Sequence, residues 1–165
     1  MEVYVLINRK KGIGIFILDS ILMTLTIGTL LIAFLSPLFF ILTVVFGLGF
    51  YGTHFLTNIE YEYSYFGGEI KFCKIINKSK RKALLRFPMD EVLKIAPAGD
   101  ESVVYFEKDK NYVVTDLTSR NRDASYYELF VNHGEKRQCI KFEPDDAFLK
   151  EIRIKYPSKV VTGRS

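Results

Sequence analysis

The sequence predicts an α+β membrane protein. An N-terminal two-helix transmembrane hairpin is followed by a seven-stranded antiparallel β barrel or sandwich, capped by a C-terminal helix. Three observations carry this prediction. Residues 12–56 hold one formal charge, Asp19, and one histidine, His54, in an otherwise apolar run broken in the middle by Ser36-Pro37. From residue 57 the pattern changes to short period-two runs separated by turn residues. Near the C-terminus one stretch returns to a 3.6-residue period.

The chain has 165 residues, enough for a small domain plus a membrane segment. Its 48% hydrophobic content averages over a sharp division, because residues 57–165 carry 20 of the 23 Lys and Arg and 17 of the 19 acids. A net charge of +4 is compatible with nucleic acid or with an anionic membrane. A membrane hairpin makes the membrane the simpler partner, and no nucleic acid is expected. Cys73 and Cys139 lie in strand-like runs without a CxxC pair, which fits reduced cytosolic thiols better than a disulfide or metal site. The apolar run is far longer than the core of a cleaved signal peptide and no A-x-A-like site follows it, so it is expected to be retained.

Residues 1–11 read as a basic cytoplasmic head ending in Arg9-Lys10-Lys11, with Val3, Val5 and Ile7 as a brief extended or interfacial piece. Within 12–56 the spans are about 13–34 and 38–56, with a turn at 35–37 where Pro37 interrupts the helix. Each span approaches the ~20 residues needed to cross ~30 Å of hydrocarbon, and backbone groups in lipid require helices. Basic residues flank both outer ends (Arg9, Lys10 and Lys11 before, Lys71 and Lys74 after) while the turn is uncharged, which places both ends in the cytoplasm. Antiparallel pairing about the turn sets the small residues Ser20, Thr24 and Gly28 against Thr53, Gly49 and Val45, with Gly47 nearby, so that Ser20, Thr24, Gly28, Gly47 and Gly49 form a packing seam. It also sets Asp19 opposite His54 at the cytoplasmic rim. Asp19 and His54 are a candidate ionisable pair, or two residues that share the headgroup layer.

The cytoplasmic domain is expected over 57–160, leaving 161–165 as a tail. Ile59, Tyr61, Tyr63 and Tyr65 alternate with Glu60, Glu62 and Ser64, and Gly67-Gly68 then turns the chain into Glu69-Ile70-Lys71-Phe72. The tyrosines are read as sheet core, Glu60 and Glu62 as the solvent face. Further strands are expected at 83–87, 91–96, 111–117, 126–132 and 137–142, and 101–108 is ambiguous between helix and strand. A final helix is expected at about 144–156, with Pro144 at its first position, acids Asp145 and Asp146 in its first turn, an apolar face of Phe148, Leu149, Ile152 and Tyr156, and Pro157 as its stop.

Seven antiparallel strands followed by one amphipathic helix resemble the architecture of pleckstrin-homology-like (PH-like) domains. Locally, Glu60-Tyr61-Glu62-Tyr63, the run from Lys74 to Lys82, Ile95-Ala96-Pro97, Phe142-Glu143-Pro144-Asp145 and Pro157-Ser158-Lys159-Val160 resemble a family of small bacterial membrane proteins, mostly from anaerobic Gram-positives. Its members combine a basic N-terminal flank, a two-helix hairpin and a compact β-rich domain of unknown function. The resemblance implies an architecture and the bacterial cytoplasmic membrane. It implies no mechanism.

The basic residues Lys74, Lys78, Lys80, Arg81 and Lys82 form the candidate lipid-headgroup site, each able to add about 1 kcal/mol of attraction near an anionic surface. They do not flank the first strand–strand loop, where eukaryotic PH domains place their phosphoinositide site, so inositol-lipid specificity is not expected. Gly47-x-Gly49-x-x-Gly52 matches a dinucleotide fingerprint only formally, since it lies inside an apolar helix. His54 and His133 are the only histidines, and no triad, metal spacing or phosphate loop is present. No catalytic, cofactor or metal residues are therefore assigned. The expected role is a membrane-anchored recognition or scaffold module that is not an enzyme, with a protein partner. The alternative is a subunit of a transport or envelope-assembly complex acting through its hairpin.

Overall fold

The computed structural model describes residues 3–134 and 136–163, which divide into two compact units. One contains Lys10–Ile59 with Ile76–Lys80; the other contains the chain up to Arg9, Glu60–Ile75 and everything from Arg81 on.

In the first unit, helices α1 (Ile13–Ile32) and α2 (Pro37–Leu56) have 20 residues each. At 1.5 Å per residue each is about 30 Å long, the thickness of a hydrocarbon core. Pro37 takes the first turn of α2, where its missing N–H removes no helical bond. Serine and threonine hydroxyls return to carbonyls one turn back, as Thr24 does to Ser20 at 2.9 Å and Thr43 to Phe39 at 2.8 Å, so they need no partner from lipid. The covered positions of α1 are Ile15, Asp19, Leu22, Thr26 and Thr29, a three-four repeat that Ala33 continues at the C-cap and that defines one seam.

The second unit contains eight strands in two sheets and two helices. The first sheet has the order β1-β2-β3-β4, from Val3–Arg9, Ile59–Phe66, Glu69–Ile76 and Lys80–Pro88. The second has the order β5-β7-β8-β6, from Val92–Pro97, Tyr127–His133, Lys136–Phe142 and Val113–Asp116. Between β5 and β6 lies the short helix α3 (Val104–Lys108), and after β8 comes α4 (Asp146–Lys155).

Four expectations are corrected. The described residues form eight strands, not seven: the head supplies β1, whose alternating Val3, Val5 and Ile7 are half-covered while Tyr4 and Leu6 are exposed. The strands are also not all antiparallel. β6 pairs parallel with β8, Val114 opposite Cys139, because the chain leaves β5 at one edge of the sheet and returns at the other. The ambiguous 101–108 region contains a helix. The C-terminal helix starts at Asp146 because Asp145 caps it, its carboxylate accepting from Phe148 N at 2.7 Å, which leaves Pro144 outside. Glu60 is buried at 9% exposure, so the start of β2 is covered on both faces.

The core lies between the two sheets. Tyr63, Tyr65, Ile70 and Phe72 of β2 and β3 are buried, as are Leu129, Ile140 and Phe142 of β7 and β8 and Phe148, Leu149 and Ile152 of α4; the rings of Tyr63 and Phe72 meet Phe142, and Phe142 meets Phe148. Past α4 the chain rejoins β5: Ile95 N donates to Lys159 O at 2.7 Å and Val161 N to Ile95 O at 2.8 Å. These bonds cover that edge of the second sheet.

The β2–β3 turn requires its two glycines, whose φ values are +62° and +85°. A side chain at Gly67 meets nothing within 4 Å, whereas a Cβ at Gly68 lies 3.2 Å from the Tyr156 hydroxyl. Gly67→Ala should cost about 1 kcal/mol, the left-handed strain alone. Gly68→Ala should cost more, because Tyr156 must also yield. Thermal unfolding of both variants in detergent checks the order.

Candidate functional site

The structure distributes the predicted basic residues along one β-hairpin. Lys74 is half-buried near the end of β3, Lys78 is exposed in the turn, and Lys80, Arg81 and Lys82 are exposed at the start of β4. Strand alternation puts Lys80 and Lys82 on one face and Arg81 on the other, where it pairs with Glu62. Asn77 and Lys78 both adopt left-handed backbone, φ +57° and +56°. The turn from Ile76 to Lys80 clusters with the helices, and Asn77 N donates to Asn58 O, just beyond α2, at 2.9 Å. Lys78 and Lys80 thus belong to the helical unit, Lys74, Arg81 and Lys82 to the sheet unit.

Asp19 and His54 come together in the hairpin. Asp19 is 8% exposed, and its Oδ2 lies 3.2 Å from His54 Nδ1 and 3.3 Å from Lys11 Nζ. Lys11 also donates to the backbone carbonyls of Thr53 and His54, which α2 leaves open at its C-terminal end. Arg9, Lys10 and Lys11 therefore do not act as one patch: Arg9, at the end of β1, bonds the Tyr61 hydroxyl and lies 3.3 Å from Asp116.

Only two of the five seam residues face inward. A Cβ on Gly47 would lie 3.7 Å from Thr26 Cγ2, and one on Gly49 3.6 Å from Leu22 Cδ2, so both glycines touch α1. Ser20, Thr24 and Gly28 lie on the exposed side, and a Cβ on Gly28 meets nothing within 4 Å. The reason is rotational. Asp19 turned toward Lys11 and His54 brings Leu22 and Thr26 to the contact and carries Ser20 and Thr24 away, about 100° per residue around the helix.

Sequence reasoning missed one site. The segment from residue 98 to 112 crosses the outer face of the second sheet and packs Phe106 and Tyr112 on Phe130, Ala96 and Cys139. Beside this small second core is a cavity of about 550 Å³ lined by Phe106, Tyr112, Tyr126, Glu128, Phe130 and Lys141. Glu128, the second residue of β7, stands opposite Lys141 in β8. Its Oε1 lies 3.4 Å from Lys141 Nζ, while its buried Oε2 has no hydrogen-bond donor. Glu107, from α3, lines the same cavity. Burial, and then Glu107, push the Glu128 carboxyl above its ordinary range, and burial pushes the Cys139 thiol up to about 12. The available signal was Phe130 and Cys139, apolar residues on the face opposite to Leu129 and Ile140. Among the described residues no group of three His, Cys, Asp or Glu is placed for a metal.

A raised carboxyl means that the native state holds more protons than the unfolded chain above the ordinary value of 4.5. The stability contributed by Glu128 is complete below that value and is lost as pH rises through the folded one. Glu128→Gln removes this loss while keeping the shape. The melting temperature of the variant relative to wild type should therefore increase from pH 4.5 towards neutrality. Thermal scans of the two proteins across that range check it.

The fold is a two-sheet domain closed by one helix, preceded by two apolar helices long enough to cross a membrane. No curated protein and no solved structure matches the chain. The family model described as "Bacterial PH-like domain (DUF6106)", a domain of unknown function, matches residues 1–162, which take in the hairpin as well as both sheets. The chain belongs to this bacterial PH-like domain family.

Proposed function

We propose that the chain is a non-catalytic recognition or scaffold module anchored by two spans in the bacterial cytoplasmic membrane, with both termini in the cytoplasm. The basic flanks and the uncharged turn support this orientation. The observation that carries the reading is the Asn77–Asn58 bond, which ties Lys78 and Lys80 to the end of α2. If α2 spans the bilayer, these cations stand in the headgroup layer, where anionic lipid attracts them. Lys78 pays about 1 kcal/mol for a backbone conformation that glycine adopts freely, and strain retained in this way supports a role for its side chain. For a protein partner, β6 offers the outermost strand of its sheet, with Val113 and Val114 exposed at 63% and 57%.

The outward stripe Ser20, Thr24 and Gly28 favours the second reading, a subunit of a membrane transport or envelope-assembly complex that acts through its hairpin. Gly28→Leu would then break detergent-stable assemblies, whereas the first reading expects no change.

Two measurements test the preferred reading. On a background with Cys73 and Cys139 replaced by Ala, Ser36→Cys should react with an impermeant maleimide in intact cells, and Ser79→Cys only after permeabilisation. The reverse pattern overturns the orientation. In nanodiscs, hydrogen exchange at residues 77–80 should be slower with phosphatidylglycerol than with phosphatidylcholine alone. The difference should vanish in high salt and in the Lys78→Gln, Lys80→Gln double variant. Equal exchange in both lipids removes the headgroup role.

A further inference from the structure

We infer that the open edge of β6 takes on a strand from a protein partner, an extended acidic segment that sets one large apolar side chain into the cavity beside Val114. Strand β6 is the outermost of its sheet, with β8 as its one neighbour among the described residues. Just beyond it, Leu117 N donates to Lys141 O at 2.9 Å. Backbone groups alternate in direction along a strand. Val113 and Thr115 therefore also turn theirs toward β8, and Val114 turns its N–H and C=O away. Among the described residues nothing pairs with those two groups. Val113 and Val114 are both exposed, on opposite faces of this edge. An added strand would pair with the free backbone groups and cover both valines at once.

The surroundings define that strand. Val114 stands opposite Cys139, so its side chain lies on the outer face, where it lines the cavity of about 550 Å³. Phe106 and Tyr112 line the same cavity, their rings edge-on with centroids 6.1 Å apart. A side chain of the added strand that projects on this face beside Val114 meets an aromatic wall. Lys141 and Glu128 already pair with each other at 3.4 Å, and an apolar side chain leaves that pairing intact. Charge sets the ends of the segment. Lys108 and Lys110 precede β6, Arg120 and Arg122 follow it, and all four are exposed. Of the acids nearby, Asp109 is held by Arg137 at 2.8 Å, and Asp116 by Arg9 at 3.3 Å and Arg120 at 3.9 Å. Glu107 accepts from Gly99 N at 3.0 Å, and Asp123 stands next to Arg122 in the chain. The flanking cations complement acids at both ends of an added strand, whereas a basic segment would be repelled.

This inference rests on the protein-partner part of the recognition reading and names the chemistry of that partner. Its failure would leave the orientation and headgroup measurements untouched, because its test uses no lipid. The full chain in a neutral maltoside detergent is titrated by calorimetry with the peptide acetyl-Asp-Asp-Val-Phe-Val-Asp-Asp-amide. The peptide should bind saturably at or below about 1 mM, and its counterpart with Lys for Asp at least about tenfold more weakly. Glycine for the central Phe should weaken binding about tenfold or more. N-methylation should abolish binding in one phase, at Phe or at both Val, and be tolerated in the other, as strand pairing requires. On the protein, Val114→Pro removes the outward N–H without losing a bond to β8, since proline is compatible with an edge. It should weaken binding about tenfold or more. Lys108→Glu combined with Lys110→Glu, at exposed positions that keep the fold, should weaken the acidic peptide and strengthen the basic one. The inference is overturned if the acidic peptide does not saturate by about 10 mM, or if the acidic and basic peptides bind equally. It is also overturned if both N-methyl phases bind alike, or if Val114→Pro and the double variant both bind like wild type. A chain that is dimeric in this detergent but monomeric as Val114→Pro would overturn it too, because a second copy would then hold the edge.

Discussion

Tyr63 couples the two sheets. Its ring packs edge-on against Phe72 of its own sheet at 5.6 Å and against Phe142 of the other at 5.5 Å, and Phe72 and Phe142 meet each other at 5.6 Å. Its hydroxyl donates to Leu117 O at 2.6 Å, just past the end of β6. Burial raises its phenol far beyond the ordinary range, so it acts as a fixed neutral donor. Aromatic pairs of this geometry add about 0.5–1.5 kcal/mol each beyond their buried area. A missing hydroxyl would orphan a buried carbonyl as well. Phe148 of α4 extends the cluster at 6.4 Å from Phe142, so the closing helix and both sheets share one set of rings. Tyr61, two residues earlier, takes a bond from Arg9, and Arg9 also reaches Asp116. The strand that supplies the central tyrosine thereby also anchors β1 and the start of the loop after β6.

The second sheet is covered on both faces, and the outer cover is thin. Leu129, Ile140 and Phe142 face the main core, while Ala96, Phe130 and Cys139 face Val103, Phe106 and Tyr112 of the 98–112 segment and Val161 from beyond α4. That cover holds Asp109 against Arg137 at 2.8 Å at one side, and leaves a cavity over Glu128 at the other. A sheet face needing only burial would place an apolar residue at position 128. A carboxyl there is expensive to desolvate, and a single lysine contact offsets only part of that cost. The cavity therefore differs from a packing defect, since its unfilled side is lined by charge.

Local signals in the sequence read well, and non-local ones poorly. Gly67-Gly68 between alternating runs marked the β2–β3 hairpin because turn chemistry is confined to neighbouring residues. The apolar face of α4 and both membrane-length helices follow from periodicity and length. By contrast, β1 is a strand through its pairing with β2 across the whole hairpin, and a short alternation before a basic run carries no trace of that partner. The parallel position of β6 depends on a crossover, and α3 is too short to show a period. For the candidate sites, the basic residues were legible by charge, but their division between two units was not. Glu128 was not legible, because Glu60 and Glu62 also sit in alternating strands and only the second cover distinguishes it.

The hairpin shows how a polar contact outranks a packing motif. Small residues at i, i+4 and i+8 favour close helix approach by van der Waals contact, which falls off smoothly as a helix rotates. An acid in an apolar span has a steeper preference, because turning Asp19 outward would trade Lys11 and His54 for hydrocarbon. Lys11 strengthens this choice by closing on the carbonyl end of α2 while it pairs with Asp19. The register about the turn is the one that the apolar pattern implies, with Gly47 against Thr26, but the rotation is set by the acid. Ser20, Thr24 and Gly28 are left on the outer side, the Ser20 and Thr24 hydroxyls satisfied by their own helix. A smooth face with no unmet polar group can rest against lipid, or against another helix that approaches over its small residues, at little polar cost.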